Sequence, residues 1–167
     1  MREREQAQEP RGRALAIVIV SFLVETCGTL TGYPFGAYHY TDRFGPVLGV
    51  VPLTIPLAWH VVLTNAVFFV RFALPYLPRW AEAALAGVIA MLYDAVLEPF
   101  ATRVKGYWYW NGTGAVPFQN YVAWFVVATL LVVLLAPTSA GHLRRDPRPA
   151  IILGATLFLF LAGSLLG

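Results

Sequence analysis

Long apolar stretches separated by short polar linkers are the dominant pattern of this chain. Five stretches of 16 to 24 residues are long enough, as helices, to cross a hydrocarbon core about 30 Å thick. We predict membrane spans at residues 14–30, 47–70, 80–97, 121–136 and 150–166. Because a helix satisfies its own backbone hydrogen bonds in lipid, the predicted fold class is an all-α, polytopic transmembrane bundle.

The bundle is predicted to form one domain, residues 14–167, since the spans need one another as packing partners. Residues 1–13 carry four Arg and three Glu, and we predict a disordered, positively charged tail there. Pro52 and Pro56 stand near the start of the second span and are expected to kink it.

Composition and charge agree with a membrane protein. The chain is 58% hydrophobic and only 13% charged, and its net charge of +3 comes from basic residues spread over the linkers. Basic residues in linkers orient membrane proteins, so we predict no nucleic-acid partner. The single cysteine, Cys27, excludes an intrachain disulfide framework and a Cys-cluster metal site.

The distribution of basic residues also predicts an orientation. With the N-terminus inside, the inside segments carry nine Lys or Arg and the outside segments three. The positive-inside rule therefore favours a cytoplasmic N-terminus and an external C-terminus. In either orientation the first and third linkers, residues 31–46 and 103–120, lie on the same side of the membrane.

Three carboxylates lie within or at the end of spans, close to that same side: Glu25, Asp94 and Glu98. A charged residue at the centre of a span costs about 2.5 to 3.5 kcal/mol, so such residues turn towards partners or water. Asp94 and Glu98 are four residues apart and share one helix face. Pro99 disfavours helical geometry at Glu98, so the third helix is predicted to end there.

Two interpretations of these carboxylates remain open. They can pair with Arg43, Arg103 or Lys105 and stabilise helix ends. Alternatively, a buried carboxyl group can keep its proton at neutral pH and serve as a general acid.

His60, in the second span, offers weaker evidence for a site. A lone histidine within a membrane more often hydrogen-bonds to a neighbouring helix than binds a metal ion. A metal site of His60, Asp94 and Glu98 has little support, and we predict no metal.

The two linkers on the same side are rich in aromatic residues, Gly and Pro. Their aromatic residues are Tyr33, Phe35, Tyr38, Tyr40 and Phe44 in the first linker, and Tyr107, Trp108, Tyr109 and Trp110 in the third. An interfacial aromatic belt accounts for part of this set. The density of aromatic residues in both linkers indicates a rigid, aromatic-lined mouth for a long apolar or cationic ligand.

Two blocks of sequence resemble the membrane-bound carotenoid biosynthesis protein family. The first is ETCGTLTGYPFGAYHY at residues 25–40, followed by Gly45-Pro46, VPL at 51–53 and IPLAW at 55–59. The second contains Asp94, Glu98-Pro99, WYW at 108–110, VPFQN at 116–120 and Trp124. The characterised members of that family include hydratases that act on acyclic carotenoid ends.

The resemblance implies an enzyme that adds water to the terminal C=C bond of an acyclic carotenoid, without a redox cofactor, nucleotide or metal. It also implies a carotenoid substrate and a location in the plasma membrane of a prokaryote. It is compatible with association with other pigment enzymes. The expected catalytic residues are Glu25, Asp94, Glu98 and Asn120. The expected substrate-binding residues are Tyr33, Phe35, Tyr38, Tyr40, Trp59, Trp108, Trp110 and Trp124.

Three alternative functions remain open. An end-group cyclase uses the same acid and carbocation but loses a proton instead of capturing water. A non-catalytic carotenoid- or lipid-binding subunit needs the aromatic mouth but no acid. A transporter is less favoured, since its polar residues would lie at the midplane of the membrane.

Overall fold

Five long helices form the protein in a computed structural model that describes residues 2–135 and 146–166, with side chains from residue 11 onward. The helices are α1 (Arg2–Thr31), α2 (Thr54–Ala73), α3 (Arg79–Pro99), α4 (Phe118–Leu135) and α5 (Arg148–Leu166). Each contains a segment long and apolar enough to cross a membrane. The predicted five-span, all-α architecture is therefore confirmed.

The starts of α1 and α2 both differ from the sequence prediction. Helix α1 begins at Arg2, so the predicted disordered tail is wrong, and its many Arg, Glu and Gln residues are good helix formers. Helix α2 begins at Thr54, not at residue 47, because β2 (Val47–Leu48) and β3 (Val51–Pro52) pair as a small hairpin.

Neither proline of the second span interrupts its helix. Pro52 ends strand β3, and Pro56 lies in the first turn of α2, where a backbone N–H has no intrahelical partner to lose. The predicted kink is therefore wrong.

The end of the third span also departs from the prediction. Helix α3 continues through Glu98 to Pro99 and passes into a π-helix, Phe100–Lys105. The Thr102 hydroxyl donates a hydrogen bond to the Glu98 carbonyl at 2.7 Å, which supports this wider turn. Single π-helical turns are frequent at functional sites. Glu98 thus projects from helical backbone.

Small residues bring α3 and α4 close together. Ala83, Ala86 and Ala90 on α3 are completely buried. A Cβ atom added at Gly87 would lie 2.9 Å from the Phe125 carbonyl oxygen, which leaves room for glycine alone. Close approach of this kind drives helix association in lipid, where apolar burial offers little advantage. Helix α3 also packs against α2 and α5, and α2 in turn contacts all four of the other helices.

A two-stranded ribbon covers one end of the bundle. Strands β1 (Tyr38–Tyr40) and β4 (Trp108–Trp110) pair antiparallel, with Tyr38 opposite Trp110 and Tyr40 opposite Trp108. Because side chains alternate along a strand, these four residues face the bundle, while His39 and Tyr109 face outward. The ribbon joins the first and third linkers, which sequence reasoning had placed on one side.

The fourth predicted span ends at Ala136, one residue beyond the described part of α4. Ala136 and the linker that carries His142, Arg144 and Arg145 lie outside the described residues.

Candidate active site

A cavity with about 60 Å³ of free volume lies beneath the ribbon, among α1, α2, α3 and α4. Its polar wall consists of three acids and an amide: Glu25, Asp94, Glu98 and Asn120. Its aromatic wall consists of Phe35, Tyr38, Tyr40, Phe44, Trp59, Tyr93, Trp108, Trp110 and Trp124. The cavity is therefore a small acidic chamber with aromatic sides.

Glu25 is held by three donors from two different elements. The Tyr38 and Tyr40 hydroxyls donate to its Oε2 at 2.6 and 2.8 Å, and the Trp59 indole donates to Oε1 at 2.7 Å. The side chain is 4% exposed. Burial and then the Glu25 charge raise the pKa of Tyr38 and Tyr40, so both hydroxyls remain protonated donors. Glu25 thus ties the ribbon and α2 to α1.

Glu98 is held by the ribbon as well. The Trp108 and Trp110 indoles donate to its Oε2 at 3.2 and 3.0 Å. Residues two apart on a strand share one face, so the Trp-Tyr-Trp sequence directs both indoles at the same carboxylate. An indole N–H can only donate, and each of these bonds therefore requires an acceptor lone pair on Glu98.

Asp94 has a different kind of partner. Asn120, near the start of α4, donates from Nδ2 to Asp94 Oδ2 at 2.6 Å, and both residues are 2% exposed. An amide can present either its NH₂ group or its oxygen to a carboxyl group. Asn120 can therefore accommodate Asp94 with or without a proton.

The three acids act on one another across the cavity. Glu25, Asp94 and Glu98 all line the same small cavity. Among the described residues that line the cavity there is no Lys, Arg or His. Like charges in a small apolar space disfavour simultaneous ionisation, so the cluster favours holding at least one proton.

The alternative interpretation, ion pairs between these acids and the linker cations, is not seen among the described residues. None of the ion pairs in the described part of the chain joins the three acids to Arg43, Arg103 or Lys105. Lys105 instead lies over the Phe100 ring, 5.5 Å from its centroid. Glu25 and Glu98 therefore accept hydrogen bonds from neutral tyrosine and tryptophan side chains of the ribbon, and not from the cationic side chains that the ion-pair interpretation required.

Stacked indoles form one wall of the cavity. The Trp59 and Trp124 rings are 3.9 Å apart and nearly parallel, with an interplanar angle of 4°. Tyr38 and Trp110 contact each other with their centroids 5.2 Å apart. The negative faces of such rings attract positive charge, most strongly where water is excluded.

Eleven of the twelve site residues predicted from sequence line the cavity, the exception being Tyr33. Tyr33 is 71% exposed, because it follows the end of α1 and precedes the turn that carries Phe35 inward. His60 is also absent from the described lining. Its Nδ1 lies 3.4 Å from the Thr64 hydroxyl on the same helix. Among the described residues, His60, Asp94 and Glu98 do not form a group that could hold a metal ion.

Sequence reasoning missed Tyr93 and Leu97, which line the cavity beside the two acids of α3. They are four residues apart and each directly precedes an acid, so helical spacing could have placed them on the neighbouring face. Phe44 was noticed as an aromatic residue of the first linker but was not assigned to the site.

The five apolar helices are each long enough to cross a membrane and define an integral membrane protein, which encloses a buried, acidic and aromatic-walled cavity. Residues 6–166 match the carotenoid biosynthesis protein family, so the chain belongs to that family. The resemblance drawn from the two sequence blocks is thereby confirmed.

A bisanhydrobacterioruberin hydratase from Haloarcula japonica is 31% identical to the chain over 125 residues. The match covers 72% of this chain and 42% of the relative, so the chain spans less than half of the relative's length. No solved structure matches the chain.

Proposed function

We propose that the protein catalyses acid-dependent hydration of the terminal C=C bond of an acyclic carotenoid end. The observation that carries this proposal is the acidic, aromatic-walled cavity without a described cationic lining residue. Such a cavity stabilises positive charge that develops during a reaction, both through its carboxylates and through its ring faces. The hydratase relative supports the same reaction class.

Asp94 is assigned as the general acid. Both oxygens of Glu25 accept donors, and Glu98 Oε2 accepts two indoles that cannot accept a proton in return. Asp94 has Asn120 as its hydrogen-bond partner among the described residues, and that partner tolerates a protonated acid. Asp94 is therefore the carboxyl group whose environment best accommodates a transferable proton.

The reaction balances with these groups alone. The Asp94 O–H bond breaks as its proton forms a C–H bond at one alkene carbon, leaving a tertiary carbocation at the other. A water oxygen then bonds to that carbon and releases one proton to the Glu98 carboxylate. Asp94 and Glu98 share one face of α3, so the proton can return to Asp94 through water. The net change is the addition of one water molecule, with no oxidation or reduction.

The indole walls stabilise the cation between these steps. A cation over a desolvated tryptophan face gains about 2 kcal/mol. Trp59, Trp124, Trp108 and Trp110 surround the space into which the alkene would enter. Their faces do not bond to the cation, so it remains available to water.

Hydration in deuterated water tests the reaction. The purified protein in vesicles that contain lycopene should give a product with one new hydroxyl group and one carbon-bound deuterium on the adjacent carbon. Mass spectrometry with fragmentation locates the label. A deuterium-labelled ring without added oxygen would instead establish a cyclase. Unchanged lycopene, and unchanged γ-carotene in a parallel reaction, would favour a binding subunit.

We also propose that the N-terminus is cytoplasmic, from the nine-to-three distribution of basic residues. A reporter fused at residue 141 should then be active on the cytoplasmic side, and one fused after residue 167 on the external side. In this orientation the ribbon and the cavity belong to the external half of the membrane. The opposite reporter pattern would reverse the orientation.

A further inference from the structure

A second, larger cavity lies beside the acidic one. It has about 360 Å³ of free volume between α2, α3 and α5, and Tyr93 is its one polar lining residue among those described. Leu92, on its rim, is 54% exposed, so the cavity opens on the lipid-facing surface of the bundle. We name it the apolar groove, lined on α3 by residues from Ile89 to Val96 and on α5 by residues from Ala150 to Leu157.

The size of the acidic cavity requires another place for a long substrate. A water-sized group needs about 10 to 15 Å³ by this measure, so about 60 Å³ holds only a few such groups. An attacking water and the terminal carbons of a substrate fill it. The rest of a long chain must leave the cavity.

Tyr93 connects the two spaces, because it lines both. It directly precedes Asp94 on α3, and its ring meets Phe160 edge-on with centroids 5.6 Å apart. Phe160 in turn contacts Phe100, with their centroids 5.4 Å apart. Phe160 follows Leu157 on α5 and Phe100 follows the end of α3, so these two rings lie beyond the groove-lining residues of both helices. Because Tyr93 is common to both linings, a path from the groove to Asp94 runs past it.

The groove has a suitable length and lining for part of a polyene. Seven residue rises on α3 and on α5 each correspond to about 10 Å. In lipid there is little hydrophobic gain in moving an apolar chain from acyl tails to a protein surface. The groove therefore contributes close contacts and a fixed orientation of the polyene. Its main effect is to position the reacting end of the polyene near Asp94.

We propose that the apolar groove binds the polyene chain next to the reacting end, which enters sideways from the bilayer and reaches Asp94 past Tyr93. This inference rests on the proposed hydration for the identity of its occupant. It assigns a binding site and a positioning residue that lie outside the acidic cluster. The position also explains why Tyr93 lines both spaces.

Gly154 offers a direct test, because a Cβ atom there would meet no other atom within 4 Å. Gly154→Trp should fill the groove without displacing backbone. The adjacent Ala155 is exposed and does not line the groove, so Ala155→Trp is the matched control. Ala150→Trp fills the groove from another position and guards against a folding defect confined to one variant.

The readout is the circular dichroism of lycopene in phosphatidylcholine vesicles that contain the protein. Lycopene is achiral, so a signal in its visible band requires a chiral binding site, and vesicles without protein set the background. We expect a signal with the wild type and with Asp94→Asn, which binds but does not react. Filling the groove should weaken lycopene binding about fivefold or more, whereas Ala155→Trp should leave it unchanged.

Equal signals from Gly154→Trp, Ala150→Trp and Ala155→Trp, or no signal from the wild type, would overturn the groove assignment. If the circular dichroism signal is lost in the groove variants but the wild type forms no hydroxylated product, the groove assignment stands and the hydratase proposal is wrong. If all three tryptophan variants hydrate lycopene at equal rates, the hydratase proposal stands and the groove assignment is wrong.

Discussion

Asp94→Asn is expected to lower hydration by about 100- to 10,000-fold, the usual contribution of a general acid. The substitution keeps the size of the side chain and its hydrogen bond with Asn120, but removes the proton that the alkene receives. The amide cannot ionise and so adds no cost of burying a charge, and the protein should still accumulate in the membrane. The measurement is hydroxylated carotenoid formed per mole of purified protein.

Asp42→Asn is the matched control, because Asp42 is exposed in a linker and does not line the cavity. Its activity should equal that of the wild type. Glu98→Gln removes the proposed water-activating base and should also slow hydration. If Asp94→Asn retained full turnover while Glu98→Gln had none, Glu98 would be the acid and the present assignment would be wrong.

Glu25→Leu is expected to destabilise the ribbon end of the bundle by several kcal/mol, about 1 to 3 kcal/mol for each donor that it leaves unsatisfied. The change removes the acceptor of three buried donors, and each unsatisfied donor costs about 1 to 3 kcal/mol. Removing a carboxylate at the centre of a span recovers about 3 kcal/mol, and less near its end, where Glu25 lies. The three unsatisfied donors together cost about 3 to 9 kcal/mol. This cost exceeds the free energy recovered by removing the carboxylate, and it is a large part of the total stability of many proteins.

Thermal unfolding of detergent-solubilised protein, followed by near-ultraviolet circular dichroism of its tryptophans, measures this effect. Glu25→Gln is the matched variant, because the amide oxygen still accepts hydrogen bonds while its NH₂ group opposes the remaining donors. Its transition should fall between those of the wild type and Glu25→Leu. A Glu25→Leu protein with a wild-type transition would show that the three donors find other acceptors or water.

These two predictions separate the roles of two acids that look alike in the sequence. Each is a carboxylate near the same end of an apolar span. The number and kind of their partners differ, however, because Glu25 faces two tyrosines and an indole, whereas Asp94 faces one amide. We therefore propose that Glu25 mainly stabilises the packing of α1, α2 and the ribbon, and that Asp94 mainly acts as the acid.

The sequence determined the class of this protein, its five spans and the side on which its unusual residues meet. Those properties follow from the length of the apolar runs and from the alternation of linkers across a membrane, which need no knowledge of packing. The four-residue spacing of Asp94 and Glu98 likewise fixed their common helix face. Eleven of the twelve site residues predicted from the sequence line the cavity, whereas six of its seventeen described lining residues were not predicted.

Only the tertiary structure decided which donor serves which acid, and where a long ligand can lie. The pairing of Tyr38–Tyr40 with Trp108–Trp110 joins segments about seventy residues apart, and no local pattern specifies that register. The continuation of α3 through Pro99 also depends on its surroundings, which overcome a local preference against helix. The apolar groove arises where α2, α3 and α5 fail to fill the space between them. Such a gap is a property of how helices pack, not of any one helix.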